Sequence, residues 1–190
     1  KKDKRTDEAM LEMMELEESL DSQVGPFGGM DQVSAHLERG GEQLAKGKYL
    51  AARTSVFKAL EVDPESAEAH TLDGAVAWGE GDAERALQSF YQALEIEPDF
   101  PEPMLYAAEV LSQDSATEKE AMAYCEQILD LLDEERERKI FWEAYILKAE
   151  LLFMTGQEKR CRSMISALDT KHDPGASVYV RLGRLCFELE

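Results

Sequence analysis

Two stretches of this chain read Ala52-x3-Val56-x2-Ala59-Leu60-Glu61-Val62-Asp63-Pro64 and, 34 residues later, Ala86-x3-Phe90-x2-Ala93-Leu94-Glu95-Ile96-Glu97-Pro98. The match extends without a gap over two whole blocks, 33–66 and 67–100. A fixed period of this length is typical of repeat proteins, in which each unit stacks on its neighbours. We therefore expect an array of similar units rather than a single globular core.

Each block divides into two amphipathic helices around a short turn, Gly47-Lys48 in the first block and Gly81-Asp82 in the second. Glycine readily adopts the left-handed conformation that ends a helix. Pro64 and Pro98 end the second helices, because proline cannot continue a helical hydrogen-bond ladder. Small residues recur where two helices would cross, at Gly40, Ala52, Gly74 and Ala86. Each block is predicted to be an antiparallel helix pair.

At these positions the chain resembles the tetratricopeptide-repeat (TPR) family, whose repeat has a large residue, then Gly, then Ala and an aromatic residue, then Pro at set offsets. The sequence departs from that pattern at His36 and His70, which replace a tryptophan-like residue, and at Arg39 and Asp73, which replace leucine. The resemblance implies an all-α, right-handed α-solenoid of antiparallel helix pairs, with about four repeats and a C-terminal helix.

The later repeats keep this register less strictly. We predict an irregular third repeat at 101–135, a degenerate fourth repeat at 136–170, and a capping helix or the start of a truncated fifth repeat at 171–190. No proline closes the third repeat, so its second helix is expected to run on through the charged stretch 133–138. The second helix of the fourth repeat is expected from Gln157 to about Leu168.

Residues 1–32 form an acidic leader that ends in a Gly-rich linker. Thr6 can start a helix with an apolar side, and the stretch from Thr6 to Asp21 holds seven acidic residues and no basic one. One interpretation is a mobile leader or an extra helix packed on the first repeat. The other is a segment that competes for a groove or binds a partner, as methionine-rich faces do.

The formal charge of −19, from 21 basic and 40 acidic residues, argues against nucleic acid and anionic membranes as partners. It favours basic or apolar polypeptides. The sequence has no apolar run long enough to cross a bilayer and no signal-peptide core, so we expect a cytoplasmic protein. The cysteines, Cys125, Cys161 and Cys186, are widely spaced in apolar stretches and are predicted to be reduced core thiols.

Catalytic and metal-binding motifs are absent from the sequence. His36 and His70 occupy the same repeat position and are predicted to be structural, and no HExxH, GxGxxG, Walker, GxSxG or EF-hand pattern occurs. We therefore predict no enzyme activity, no cofactor and no metal.

The TPR resemblance implies that the first helices of the repeats line a concave groove. The family's inner-face offsets fall on a partly apolar, partly acidic set of residues: Leu37, Gly41, Leu44, Thr71, Ala75, Trp78, Leu105, Glu109, Ser112, Ile146, Glu150 and Phe153. Trp78 is the first candidate for a ligand anchor, and packing inside the second repeat is its alternative role. The Lys, Arg and Asn residues of carboxylate-clamp TPR proteins are missing, so binding of a chaperone tail by that mechanism is not expected.

These observations predict a protein-interaction scaffold or chaperone-like adaptor that binds a partner's peptide or helix. The ligand would carry apolar anchors and basic residues. A narrower resemblance is to the small acidic TPR chaperones of bacterial secretion systems. Two alternatives stay open at this point: a regulatory or docking segment of a longer enzyme, and a module that self-associates through its C-terminal face.

Overall fold

The computed structural model describes residues 29–132, 137–167 and 175–189. In those ranges it has nine helices and no strand, and the all-α prediction is confirmed. The helices are α1 (Gly29–Ala45), α2 (Tyr49–Val62), α3 (Ala67–Gly79), α4 (Ala83–Ile96), α5 (Pro101–Leu111), α6 (Glu118–Leu131), α7 (Arg138–Met154), α8 (Glu158–Ser166) and α9 (Ala176–Leu189).

The helix ends use the local signals that the sequence contains. Gly47 and Gly81 follow α1 and α3 with φ angles of 69° and 85°, as predicted for left-handed turn glycines, and Gly156 follows α7 in the same way with a φ angle of 71°. Asp82 caps α4 by accepting a hydrogen bond from the Arg85 backbone N–H at 3.1 Å. The chain is therefore reversed after each first helix, which produces hairpins.

Within the described ranges, each helix contacts only helices that lie one or two places away along the chain. Each of the odd-numbered helices α1, α3, α5 and α7 packs closely against the next odd-numbered helix, whereas no two even-numbered helices of the described ranges bring their backbones together. Helices α4 and α6 meet only at long side chains, where the Tyr91 hydroxyl donates a hydrogen bond to Glu120 at 3.0 Å. Helices on the inside of a curved stack lie closer together than those on the outside. The odd-numbered helices consequently form the inner wall of the array, and the even-numbered helices form the outer wall.

The core is a series of clusters between successive helices. One cluster joins α5, α6 and α7 and includes Met104, Leu111, Cys125, Ile128 and Leu151. The next joins α7, α8 and α9 and includes Trp142, Leu152, Cys161, Val178 and Leu185. Burying apolar area between neighbours in this way stabilises each hairpin mainly through the adjacent one.

Glycine permits a close crossing between α3 and α4. The Phe90 side chain is fully buried against Gly74, and a Cβ atom built on Gly74 would lie 2.6 Å from the ring atom Cδ1. Gly40 has the same place in the first hairpin, and a Cβ atom built on it would lie 2.9 Å from Cδ2 of Leu72 and 3.5 Å from Cβ of Ser55. The predicted role of these small residues at helix crossings is confirmed.

Three expectations are corrected. Helix α6 ends at Leu131, because Leu132 is extended (φ −97°, ψ 142°) and packs against the α5–α7 cluster, so the predicted continuation of this helix past Leu131 is wrong. Residues 133–136 lie outside the described residues. Helix α1 begins at Gly29, four residues before the first block. Cys125 and Cys161 are buried as predicted, but Cys186 is exposed. The predicted leader helix lies outside the described residues.

No helix in the described part of the chain combines the length and the hydropathy that crossing a bilayer would require.

We expect that Gly47→Ala lowers the free energy of unfolding by about 1–2 kcal/mol, because a Cβ atom disfavours the left-handed conformation that this turn adopts. Asparagine tolerates that conformation better, so Gly47→Asn should cost less. Urea unfolding followed by circular dichroism would compare the two variants. Equal midpoints for both variants and the native chain would contradict the predicted strain.

Candidate functional site

The first half of the inner wall contains a depression of about 360 Å³ between α1, α3 and α5. Gly41 and Leu44 come from α1, Thr71 and Ala75 come from α3, and Tyr106 comes from α5. Gly41 has no heavy atom within 4 Å of the position of a Cβ atom, so its missing side chain leaves space open to solvent. The surface here is formed mainly by small and apolar groups.

The polar groups beside this depression are already bonded or are carboxylates. The Thr71 hydroxyl donates a hydrogen bond to the Ala67 carbonyl oxygen at 2.8 Å, and the residue is only 6% exposed, so it presents no free polar group to a ligand. Glu68 and Glu102 also line the depression. An apolar ligand group would therefore meet hydrocarbon on the floor and negative charge at the side.

Tyr106 joins the first depression to the middle of the wall. Its ring stacks on Phe90 with centroids 5.5 Å apart, and its side chain is 38% exposed. Burial, together with the nearby Glu102 and Glu109 carboxylates, raises the pKa of the Tyr106 phenol. The phenol stays neutral at physiological pH, and it offers a ring edge and a hydroxyl to a ligand.

A cluster of three carboxylates and one guanidinium occupies the middle of the wall. Arg181 of α9 donates hydrogen bonds to both oxygens of Glu150, from Nε at 2.9 Å and from Nη2 at 2.5 Å. Its Nη1 atom donates to Glu143 at 2.8 Å. Burial raises the pKa of the Glu109 carboxyl, Arg181 opposes that shift, and the charges of Glu143 and Glu150 add to it. The cluster keeps a net negative charge.

A second depression, of about 330 Å³, lies between α7 and α9. Phe153 and Leu185 give it apolar walls, and Glu150, Arg181 and Arg184 give it charged edges. The inner wall thus has an apolar depression on each side of the carboxylate cluster.

The structure brings together some of the predicted groove residues and separates others. Leu44, Thr71 and Ala75 line the first depression, whereas Glu150 and Phe153 line the second. Glu109 lies within electrostatic range of Arg181, Glu143 and Glu150. Leu37 lines a different hollow near the start of the array, with Val33 and Val62.

Three predicted contact residues belong largely to the core. Ile146 has no exposed surface, and Leu105 is 8% exposed, so neither presents a side chain to a ligand. Their prediction as groove contacts is corrected, because both point into the clusters between helices. Trp78 is half-buried and packs against the cluster that contains Phe90 and Ala107, which fits its alternative role inside the second repeat.

Arg181, Glu143 and Tyr106 are the inner-wall residues that sequence reasoning missed. Glu143 and Glu150 lie seven residues apart, on one face of a helix, and this spacing was an available signal for a line of negative charge. Arg181, which bonds both of these carboxylates, lies two positions before the repeat glycine Gly183. No sequence signal indicated that its side chain faces α7.

The described residues contain no group of three or more side chains suited to holding a metal ion. Burial raises the pKa of Cys125 to about 12, so that thiol stays protonated at neutral pH. Nε2 of His70 lies 3.0 Å from the Pro64 carbonyl oxygen, a structural contact.

Comparison with solved structures gives matches of low sequence identity and high structural similarity. PilF of Pseudomonas aeruginosa has a TM-score of 0.70 and 20% identity, with 85% of this chain and 70% of that chain covered. A TPR protein of Thermus thermophilus, TTC0263, has a TM-score of 0.67 and 15% identity, with 83% and 82% covered. This chain has the tetratricopeptide-repeat fold.

The TPR fold also occurs in a protein solved with a ligand. The secretion chaperone SycD of Yersinia enterocolitica, in complex with a peptide of the translocator YopD, has a TM-score of 0.59 and 17% identity, with 66% of this chain and 95% of that chain covered. No family model and no curated protein matches the sequence. At these identities the likeness concerns the fold.

Proposed function

We propose that this chain is a protein-interaction scaffold or chaperone-like adaptor that binds a peptide or helix of a partner protein along its inner wall. The observation that carries the proposal is the first depression, where small and apolar groups of α1, α3 and α5 leave about 360 Å³ open beside two carboxylates. Grooves of this kind bind extended or helical segments through a few apolar anchors. The SycD complex supports a peptide ligand for this type of fold.

The charges on the wall favour basic residues in that ligand. Glu68 and Glu102 lie at the first depression, and Glu109 lies close to Glu143 and Glu150 in the middle. Arg181 of the chain itself shows how a basic group binds here. Its guanidinium donates hydrogen bonds to Glu143 and, in a bidentate arrangement, to Glu150. A ligand with Arg or Lys between its apolar anchors would neutralise the remaining charge.

The proposed place of action is the cytoplasm, and the proposed role is binding without catalysis. All three cysteines are free, and Cys186 is an exposed thiol that a reducing compartment would preserve.

The charge preference can be measured with two labelled synthetic peptides that share Leu and Phe anchors and carry either Lys or Glu at the other positions. We expect the Lys peptide to bind at least about tenfold more tightly in low salt, since carboxylates line the wall and salt screens exposed charges. Fluorescence anisotropy at two salt concentrations would give both affinities. Equal affinities would contradict the proposed ligand chemistry.

The location can be tested in the same assay with Ala75→Trp, which fills the first depression. We expect this variant to weaken binding of the Lys peptide about tenfold or more. Ala83→Trp, at an exposed position of α4 on the outer wall, is the matched control and should bind like the native chain. Loss of binding in both variants, or in neither, would rule out the inner wall as the binding site.

A further inference from the structure

Among the described residues, no helix packs on the face of α9 that in earlier first helices contacts a second helix. Gly183 occupies the repeat position of Gly40 and Gly74. A Cβ atom at Gly40 or Gly74 would meet neighbouring side chains, whereas at Gly183 no heavy atom of the described residues lies within 4 Å. A glycine that elsewhere in the array permits close helix packing faces open space in α9.

The residue one turn further along α9 shows the same contrast. Cys186 corresponds to Ala77, Leu111 and Leu152, which are 0%, 3% and 2% exposed, yet Cys186 is exposed. Phe187 beside it is 79% exposed. The apolar face of α9 is therefore the first-helix half of a hairpin whose second helix is absent from the described residues.

The opposite end of the array is built differently. In α3, Ala69 and Val76 pack against the second helix of the preceding hairpin and are fully buried. The corresponding residues of α1 are Ala35 and Glu42, and both are exposed. Glu38, between them on the same face, is exposed as well. This surface is acidic, and it is unsuited to an acidic helix.

The leader has the residue pattern of a second helix. Its sequence Ala9-x3-Met13-x2-Leu16 has the spacing of Cys161-x3-Ile165-x2-Leu168 in the fourth hairpin. The second helices α2, α4, α6 and α8 all begin three residues before the small residue of this repeat position, which is Ala52, Ala86, Ala121 or Cys161. A helix in the leader that began three residues before Ala9 would begin at Thr6, which is also the predicted helix start.

Charge favours an encounter between the leader and the α9 end. Residues 6–21 contain seven acidic residues and no basic one. The described residues after 136 contain eight basic and five acidic residues, and on α8 Lys159, Arg160 and Arg162 are exposed. The first part of the array, 29–132, has 21 acidic and seven basic residues. An acidic segment is repelled by the start of the array and attracted to its end.

We propose that residues 6–21 of one copy dock on the exposed face of α9 of a second copy and complete its fifth hairpin. Within one chain the linker is too short. Four steps between neighbouring inner helices at about 8–10 Å each separate α1 from α9, whereas the seven residues 22–28 span at most about 25 Å. The contact is therefore intermolecular and joins the start of one array to the end of another.

Sedimentation velocity of the full chain over a dilution series tests the association. The native chain should form dimers or larger species as its concentration rises, because a head-to-tail contact leaves one donor and one acceptor surface at the ends. Gly183→Leu should weaken association at least about tenfold by blocking close approach, and the open space around Gly183 lets the monomer fold. Ala83→Leu, at an exposed position of α4 on the outer wall, is the control and should associate like the native chain.

Cross-linking identifies the two surfaces. With Met13→Cys and a short bismaleimide, we expect a covalent dimer between residue 13 of one copy and Cys186 of another, and adding Cys186→Ser should remove it. The buried Cys125 and Cys161 should not react. A monomer at all concentrations would overturn the proposal. A link between two copies of Cys186 in the native chain, or a link within one chain, would overturn it as well, since other surfaces would then be in contact.

Discussion

Gly74→Ala is expected to lower the free energy of unfolding by about 2–3 kcal/mol, although alanine is the better helix former by about 1 kcal/mol. The added methyl group would lie 2.6 Å from Cδ1 and 2.9 Å from Cζ of Phe90. Phe90 has no exposed surface and cannot move without disturbing the packing of Ala77, Ala107 and Val110. Overpacking of a filled core typically costs about 1–3 kcal/mol.

Gly183→Ala is the matched control, because it places the same methyl group in the same repeat position without a neighbour within 4 Å. Helix propensity then decides the outcome, and stability should stay equal or rise by up to about 1 kcal/mol. Urea unfolding of both variants would measure the pair. A similar loss of unfolding free energy in both variants would show that close helix packing is not the reason why Gly74→Ala destabilises the chain.

Arg181→Met is expected to destabilise the chain by about 2 kcal/mol at pH 7. Methionine retains much of the side-chain length but leaves Glu109, Glu143 and Glu150 without the guanidinium that now bonds two of them. Breaking a fully buried ion pair costs about 3–5 kcal/mol. The side chains here are 31%, 19% and 29% exposed for Arg181, Glu143 and Glu150, so solvent screening reduces that figure.

The effect of Arg181→Met should shrink as the pH falls. The pKa of Glu109 is raised in the folded protein, so its ionised form costs stability above that pKa, and protonation relieves the cost as the pH falls through it. Without Arg181 the pKa of Glu109 would rise further. Between about pH 7 and the ordinary glutamate range near about pH 4.3, the variant should therefore approach the native chain in stability.

Arg184→Met is the control for this experiment. Arg184 is on the same helix, its side chain is 82% exposed, and it pairs with Glu188 one turn away. Surface pairs of this kind contribute about 0.3–0.5 kcal/mol. Thermal unfolding at several pH values would compare both variants with the native chain. An Arg181→Met loss that grows on acidification would mean that repulsion among the carboxylates is not its cause.

The hairpins were predictable because local chemistry sets them. Glycine at a left-handed turn, proline after a second helix and a small residue at a crossing are each dictated within one repeat, and they recur at a constant offset at Gly47, Gly81, Gly40 and Gly74. The end of α6 was not predictable in the same way. Leu132 leaves the helix to bury its side chain among residues of three helices, and that gain depends on tertiary packing.

The candidate site was predictable only in part. Family offsets identify which residues face the interior side of a first helix, but they do not distinguish a side chain that lines the wall, such as Ala75, from one that is buried, such as Ile146. The distinction depends on which neighbouring helix covers each side chain, and that is a matter of tertiary packing. The bond from Arg181 to Glu150 spans 31 residues and two helices, so no local pattern reports it.

The restriction of contacts to helices one or two places apart has a mechanical consequence. The array can bend elastically. A small rotation between two neighbouring inner helices leaves the contacts of the other helices unchanged, and such rotations add along the wall. The junction between α5 and α7 separates the two depressions, so a rotation there changes the distance between them. Under the proposed function, compliance of this kind would let one groove accept a range of partner segments.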